Sequence, residues 1–244
     1  YAVDLAARTA RVAPADVLEL AAGTGVLTRE LARTLPTDTR LVATDINAPM
    51  LAEAAAVGSA RPVEWREADA LALPFADAVF DAVVCQFGAM FFADRPRAYA
   101  EARRVLRPGG RLLFNVWDRL ESNVYADLVT QALAALFPAD PPRFLARLPH
   151  GYHEPAQIAE DLRRGGYAAA PHCTCLTFAS RAASADAVAF AYCHGTPLRH
   201  EIEAHGAGAL AAATAAAATR IGQVCGDGAV EAPVQAWVIE VARD

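Results

Sequence analysis

The stretch Val17-Leu18-Glu19-Leu20-Ala21-Ala22-Gly23-Thr24-Gly25 decides the fold. Its first four residues read as a short, mostly apolar strand. Gly23 and Gly25 then mark a tight turn, and a helical pattern follows over residues 27–35. Strand, glycine turn and helix in this order open a parallel α/β sheet. The turn carries no Cβ at two positions, so its backbone can approach a ligand closely.

Upstream, residues 3–12 read as a helix ending near Pro14. Downstream, residues 40–44 form a second strand that ends at Asp45, and residues 49–57 a helix. Residues 63–67 are a third strand, with Asp69 just beyond it. Residues 81–86 are a fourth, nearly continuous in apolar side chains and therefore buried on both faces. A helix over 97–106 stops at Arg107-Pro108-Gly109-Gly110, and residues 111–117 make a fifth strand. This alternation predicts a Rossmann-like, doubly wound, mostly parallel sheet.

The second half is less regular. Helices are expected over 123–137, 155–165, 183–193 and 198–221, and strands over 172–178 and 234–241. A Pro-rich turn carries Pro138, Pro141 and Pro142. With 244 residues, no internal repeat and no long linker, the chain is expected to be one domain over 1–244. Residues 1–118 are its ligand-binding half, and 119–244 carry helical lid insertions.

Composition narrows the function. A 55% hydrophobic, 20% charged chain is globular. The net charge of -6 and the lack of a basic stripe argue against nucleic acid. Arg103, Arg104 and Arg107 cluster at a helix end, where cations suit the helix dipole. Five cysteines in no zinc or thioredoxin spacing read as buried, reduced thiols of a cytoplasmic protein. No run is long enough for a transmembrane helix and no signal peptide is visible; the chain opens on Tyr1 rather than methionine.

In an open α/β sheet the ligand lies beyond the carboxyl ends of the strands. Gly23 and Gly25, Asp45, Asp69 and the segment Cys85-Gln86-Phe87-Gly88 all fall there. A carboxylate ending strand two can accept ribose hydroxyls, and one after strand three an adenine amine. Backbone carbonyls at the end of strand four can accept from an ammonium. The set describes a pocket for an adenosine with a cationic tail. A dinucleotide fits less well: counting from Gly23, the third glycine of the G-x-G-x-x-G fingerprint is Thr28, and Glu19 would repel a phosphate.

The nine residues quoted first resemble motif I of the class I S-adenosylmethionine (SAM)-dependent methyltransferases, and Asp45 their motif II acid. Ala68-Asp69-Ala70, Leu73-Pro74-Phe75 with Phe80-Asp81, and Val105-Leu106-Arg107-Pro108-Gly109-Gly110 resemble the following motifs. The version is most similar to the UbiE-like (methyltransferase type 11) branch and covers about residues 12–118. The family implies a seven-stranded sheet, SAM as cofactor and S-adenosylhomocysteine as product. It implies that Glu19 meets the methionine amine through water, while Ala21, Gly23 and Gly25 line the methionine. Asp45 would bind the ribose, Ile46 would lie against the adenine, and Asp69 with the Ala70 backbone would read its edge. Cys85 or Gln86 carbonyls would hold the ammonium. Ala21 departs from the family by replacing the first glycine of the motif.

The expected reaction is an in-line displacement onto a small organic acceptor, by a monomer or homodimer. Phe87, Met90, Phe91, Phe92 and Trp117 are candidates for an apolar acceptor floor, and Tyr152 lies in an ordered loop with His153, the favoured base among His150, His153, His194 and His200. Base-amino methylation is disfavoured, because Gln86-Phe87-Gly88-Ala89 stands where such enzymes carry Asn/Asp-Pro-Pro-aromatic. No metal is expected, since Asn115, Asp118 and Gln86 make a poor Mg²⁺ set. Two other classes stay open: an NAD(P)-dependent Rossmann oxidoreductase and a non-catalytic SAM-binding domain.

Overall fold

Short strands separated by amphipathic helices are the organising pattern of the computed structural model, which describes residues 1–226 and 228–244. In chain order the elements are α1 Ala2–Ala10, β1 Asp16–Leu20, α2 Val26–Thr34, β2 Arg40–Asp45, α3 Ala48–Val57, β3 Glu64–Glu67, β4 Phe80–Gln86, α4 Arg95–Val105 and β5 Leu106–Trp117. They continue with α5 Val124–Leu136, α6 Phe144–Arg147, α7 Pro155–Arg164, β6 His172–Ala182, α8 Ala185–Gly195, α9 Leu198–Glu203, α10 Ala209–Cys225 and β7 Val230–Ala242.

The strands form one seven-stranded sheet in the order β3-β2-β1-β4-β5-β7-β6. The pairings of β1 with β2 and β4, of β2 with β3, and of β4 with β5 are all parallel. Strand order reverses between β1 and β4, which places the topological switch point at their carboxyl ends. This is the doubly wound, mostly parallel sheet expected from the alternation. β1 and β4 are buried along nearly their whole length, as their apolar runs require.

Local chemistry sets several boundaries. Asn47 caps α3 by accepting the Met50 amide, Asp94 caps α4 through the Arg97 amide, and Ser184 caps α8 through the Ala187 amide. β5 begins earlier than expected: Leu106 already pairs with Phe80, and the ladder resumes at Ala82 with Arg111 across an irregularity that contains the Pro-Gly-Gly turn.

The chain divides into two compact units. The first takes Tyr1–Val116, Glu154–Thr174 and Trp237–Asp244; the second takes Trp117–His153 and Cys175–Ala236. The second has its own core, in which Leu133, Ala189, Cys193, Ile202, Ala213 and Ile221 are fully buried.

Three expectations are corrected. The single helix over 198–221 is two, α9 and α10, because Gly206 and Gly208 take left-handed backbone angles (φ +104° and +81°) that break it. The Pro-rich turn leads into a short helix, α6, that the pattern did not show. The thiols are free but not uniformly buried: Cys85 and Cys193 are, Cys173 and Cys225 are half-buried, and Cys175 is exposed. Among the described residues no helix is long and apolar enough to cross a membrane.

Candidate active site

The first unit assembles its polar groups at the carboxyl ends of β1, β2 and β4. Past Leu20 the chain makes a turn through two left-handed residues, Ala21 (φ +51°) and Gly23 (φ +55°), and Gly25 (φ +81°) starts α2. β2 holds this turn from the side: the Ala22 amide donates to the Thr44 carbonyl at 2.9 Å, and the Gly23 amide to Asp45 Oδ2 at 2.8 Å. The Thr44 hydroxyl donates to the Glu19 carbonyl at 2.8 Å. Gly25 is needed where it stands, since a methyl group there would lie 3.1 Å from both Ala54 Cβ and the Trp65 ring. A methyl group at Gly23 would meet nothing within 4 Å. The turn therefore presents open space at Gly23.

Glu19 lies beneath this turn, only 1% exposed. Among the described residues its Oε2 and the Thr28 hydroxyl are buried with no partner beyond the contact of Thr28 with the Glu19 carboxyl. Burial raises the Glu19 pKa to about 8; Thr28 and Arg29 oppose that rise, and Asp45 adds to it. A buried carboxyl with no bonded counter-charge fits a cationic partner and disfavours a phosphate. Cys85, at the end of β4, is pushed up to about 12, chiefly by burial, with the negative charges of Glu19 and Asp45 adding to it. It stays a thiol and is no nucleophile.

Asp45 is bound on both oxygens, Oδ2 by the Gly23 amide and Oδ1 by the Asn47 amide, each at 2.8 Å. Each carboxylate oxygen has a second lone pair, so these bonds leave room for a ligand hydroxyl. Beside it Ile46 is 67% exposed, an apolar side chain left in the open at a strand end. Asp69 is exposed, with Oδ1 accepting the Leu71 amide at 2.9 Å, and Ala70 is half-buried next to it. Gln86 is half-buried and its Oε1 has no partner.

Two residues here, Asn115 and Gly88, make contacts that the sequence did not show. Asn115, on β5, is fully buried and accepts the Phe87 amide on Oδ1 at 3.0 Å. Gly88 is packed so closely that a methyl group on it would sit 2.4 Å from Ala21 Cβ and 2.8 Å from Cys85 Sγ. The signal for Asn115 was a lone amide in the apolar run Leu112-Leu113-Phe114-Asn115-Val116. Gly88 gave no signal, because its contact joins two loops.

Of the residues assigned to an apolar floor, Phe87 (φ +52°) is half-buried with its ring edge-on to Tyr1, Met90 is fully buried in packing, and Phe91 is half-exposed. Phe92 and Trp117 are half-buried. In the second unit, Tyr152 is buried. There the His150 Nδ1 donates to the Asp118 carbonyl at 2.8 Å, and His153 Nδ1 donates to the His150 carbonyl at 2.8 Å. Burial lowers the His150 pKa, which keeps it neutral. His194 bonds the Thr214 hydroxyl and stacks on Phe190, a local packing role. Arg104 and Arg107 are ion-paired, to Glu101 and Asp77 and to Asp16 and Asp81 respectively. Among the described residues no group of three or more His, Cys, Asp or Glu is arranged to hold a metal ion.

Comparison with known proteins gives the family. A family profile described as "Methyltransferase domain" matches residues 18–114, from within β1 to within β5. A demethylmenaquinone methyltransferase of Thermus thermophilus is 49% identical over 114 residues, 46% of this chain and 50% of that protein. The match thus spans about half the length of that relative. A demethylmenaquinone methyltransferase of Mycolicibacterium vanbaalenii is 36% identical over 167 residues, 64% of this chain and 70% of that protein. A putative methyltransferase structure from Bacillus halodurans shares the fold, with a TM-score of 0.62 over 99% of this chain and 98% of that one, at 18% identity. The chain belongs to the class I SAM-dependent methyltransferases, in their UbiE-like branch.

Proposed function

We propose that the protein methylates a small organic acceptor with SAM, by in-line displacement and without a metal. The observation that carries this reading is Glu19: a buried acid with no counter-charge bonded to it, beside the Thr28 hydroxyl, under a left-handed turn that Asp45 holds open. That arrangement suits an amino-acid ammonium beside a nucleoside. The bound cofactor supplies a methyl group already activated on a sulfonium, so the protein's contribution is alignment and exclusion of water, worth about 7–11 kcal/mol of barrier in well-oriented systems.

The roles follow position. Glu19 receives the ammonium through water, together with the Cys85 and Gln86 carbonyls. Ala21, Gly23 and Gly25 line the methionine tail. Asp45 accepts the ribose hydroxyls, Ile46 covers the adenine, and Asp69 with the Ala70 backbone reads its amine edge. On the first unit the exposed or half-buried rings of Phe87 and Phe91 are the candidates for the acceptor, and His153 is the candidate base on the second. His153 Nδ1 is committed to a backbone carbonyl, so Nε2 is the basic nitrogen. The names of the relatives make a demethylmenaquinone, in either redox form, the first acceptor to test.

Titration calorimetry with SAM and with NADH separates this reading from an oxidoreductase. SAM should bind with micromolar affinity and NADH should not; tight NADH binding with no SAM binding would overturn it. Formation of S-adenosylhomocysteine with a demethylmenaquinone, in either redox form, or another small acceptor then separates an enzyme from a non-catalytic SAM-binding domain.

A further inference from the structure

Asn115 is an odd choice for its place. It stands on β5 among Leu112, Leu113, Phe114 and Val116, all buried, and is itself 0% exposed. Its Nδ2 is buried with no partner. A buried donor left unmet destabilises a fold, and an apolar side chain of similar size would avoid that cost. Stability therefore does not explain the residue. Its Oδ1 does something an apolar side chain cannot: it accepts the Phe87 amide at 3.0 Å, and the Asn115 carbonyl lies 3.2 Å from the same amide.

Phe87 needs such a hold. It follows β4 with φ +52°, a left-handed conformation that a bulky aromatic residue rarely takes unless its surroundings impose it. The next residue, Gly88, is the one packed against Ala21 and Cys85. Ala21 is itself left-handed and begins the glycine turn over Glu19. One side chain on β5 thus fixes the turn after β4, and that turn abuts the turn after β1. The amide orientation is set by the bond itself, because a flipped carboxamide would point its NH₂ at the Phe87 N–H.

We propose that Asn115 is a positioning residue for the amino-acid end of the cofactor: by latching Phe87 it holds the Cys85–Gly88 backbone where the ligand's ammonium is bound. The role rests on the SAM reading above. It makes a prediction that a purely architectural residue would not, since the latch acts on the strand-four turn and not on Asp45 or Asp69. It should matter for ligands that carry the amino-acid tail and be silent for those that lack it.

The test measures S-adenosylhomocysteine and 5′-methylthioadenosine binding to the full chain by calorimetry. Asn115→Leu should weaken S-adenosylhomocysteine about tenfold or more and leave 5′-methylthioadenosine within about twofold of wild type. Equal losses for both ligands, or no loss for either, would overturn the proposal. Retained 5′-methylthioadenosine binding also reports that the variant is folded. If Asn115→Leu does not fold, Asn115→Asp decides: it keeps an oxygen for Phe87 and lacks the idle Nδ2, so it should bind S-adenosylhomocysteine within about threefold of wild type, and a tenfold loss selective for the tailed ligand would overturn the latch. Phe87→Gly, which takes the left-handed angle freely, should restore most of the affinity lost in Asn115→Leu. Absence of S-adenosylhomocysteine binding to the wild-type chain sinks the cofactor reading itself, a different outcome from either variant's failure.

Discussion

Ala21 and Gly88 are a matched pair: the methyl group that Ala21 carries fills the space that a methyl group on Gly88 would need, 2.4 Å away. By its resemblance to the family's motif, position 21 would carry glycine; here an alanine stands there in the left-handed region (φ +51°), and its methyl group has room because Gly88 has no side chain. Gly88 itself has an ordinary right-handed backbone (φ -101°, ψ -35°), so alanine there is opposed by space and not by conformation. Gly88→Ala should cost about 1–3 kcal/mol of stability from overpacking and weaken SAM binding. Ala21→Gly alone should change little. The double variant should recover most of the loss, and the cycle read by denaturant midpoints checks it; strictly additive effects would show the two sites are independent.

Glu19 makes stability and binding depend on pH in opposite directions. Its pKa in the folded chain, about 8, lies above the ordinary carboxyl value of 4.5 carried by the unfolded chain. Between these two values the folded state holds the extra proton, so Glu19's contribution to stability is intact at low pH and is lost as pH rises toward about 8. Glu19→Gln removes that titration, and its advantage over wild type in thermal midpoint should grow between about pH 5 and about pH 9. SAM affinity of the wild type should rise over the same range as the carboxylate forms, and that of Glu19→Gln should be weaker and flat. A wild-type affinity that ignores pH would remove Glu19 from contact with the cation.

Asp45, proposed above to accept the ribose hydroxyls, is also a clamp on the fold. Asp45→Ala is expected to weaken SAM at least tenfold. The bonds to the Gly23 and Asn47 amides add a loss of stability, since hydrogen bonds to a charged acceptor contribute about 1.5–3 kcal/mol each. Asp45→Asn keeps one acceptor oxygen and should fall between. Equilibrium unfolding in urea, beside calorimetry, separates the two effects, and an unchanged SAM affinity in Asp45→Ala would take this residue out of the site.

The sequence made the first half legible because its signals are local. A strand that ends at Asp45, a glycine turn after Leu20 and a proline-glycine stop after α4 each follow from a few neighbouring residues. The parallel, doubly wound character of the sheet follows from the alternation that joins them. What it did not show was contact between loops. The Gly88–Ala21 fit and the Asn115–Phe87 latch join positions dozens of residues apart, and neither has a period or a motif. In the second half the alanine-rich run over 207–218 hid the break at Gly206 and Gly208, because helix propensity there is high on both sides.

His150 and His153 give the last prediction. Both commit Nδ1 to a backbone carbonyl, so both present Nε2 as the basic nitrogen, yet they sit differently. His150 is buried and donates to the Asp118 carbonyl, which also accepts from Asn123 Nδ2 at 3.2 Å, so His150→Ala removes one of two donors and should cost about 0.5–1.5 kcal/mol of stability. His153 is half-buried, and His153→Ala should leave the unfolding midpoint nearly unchanged. If His153 takes the acceptor's proton, the variant's kcat should fall about 10²–10⁴-fold, with SAM affinity intact. That loss should shrink for acceptors already ionised at neutral pH, because they need no base. Measuring kcat for phenol-type acceptors of graded acidity is the check. A rate that falls equally for all of them, or only in His150→Ala after correction for its folded fraction, would move the base away from His153.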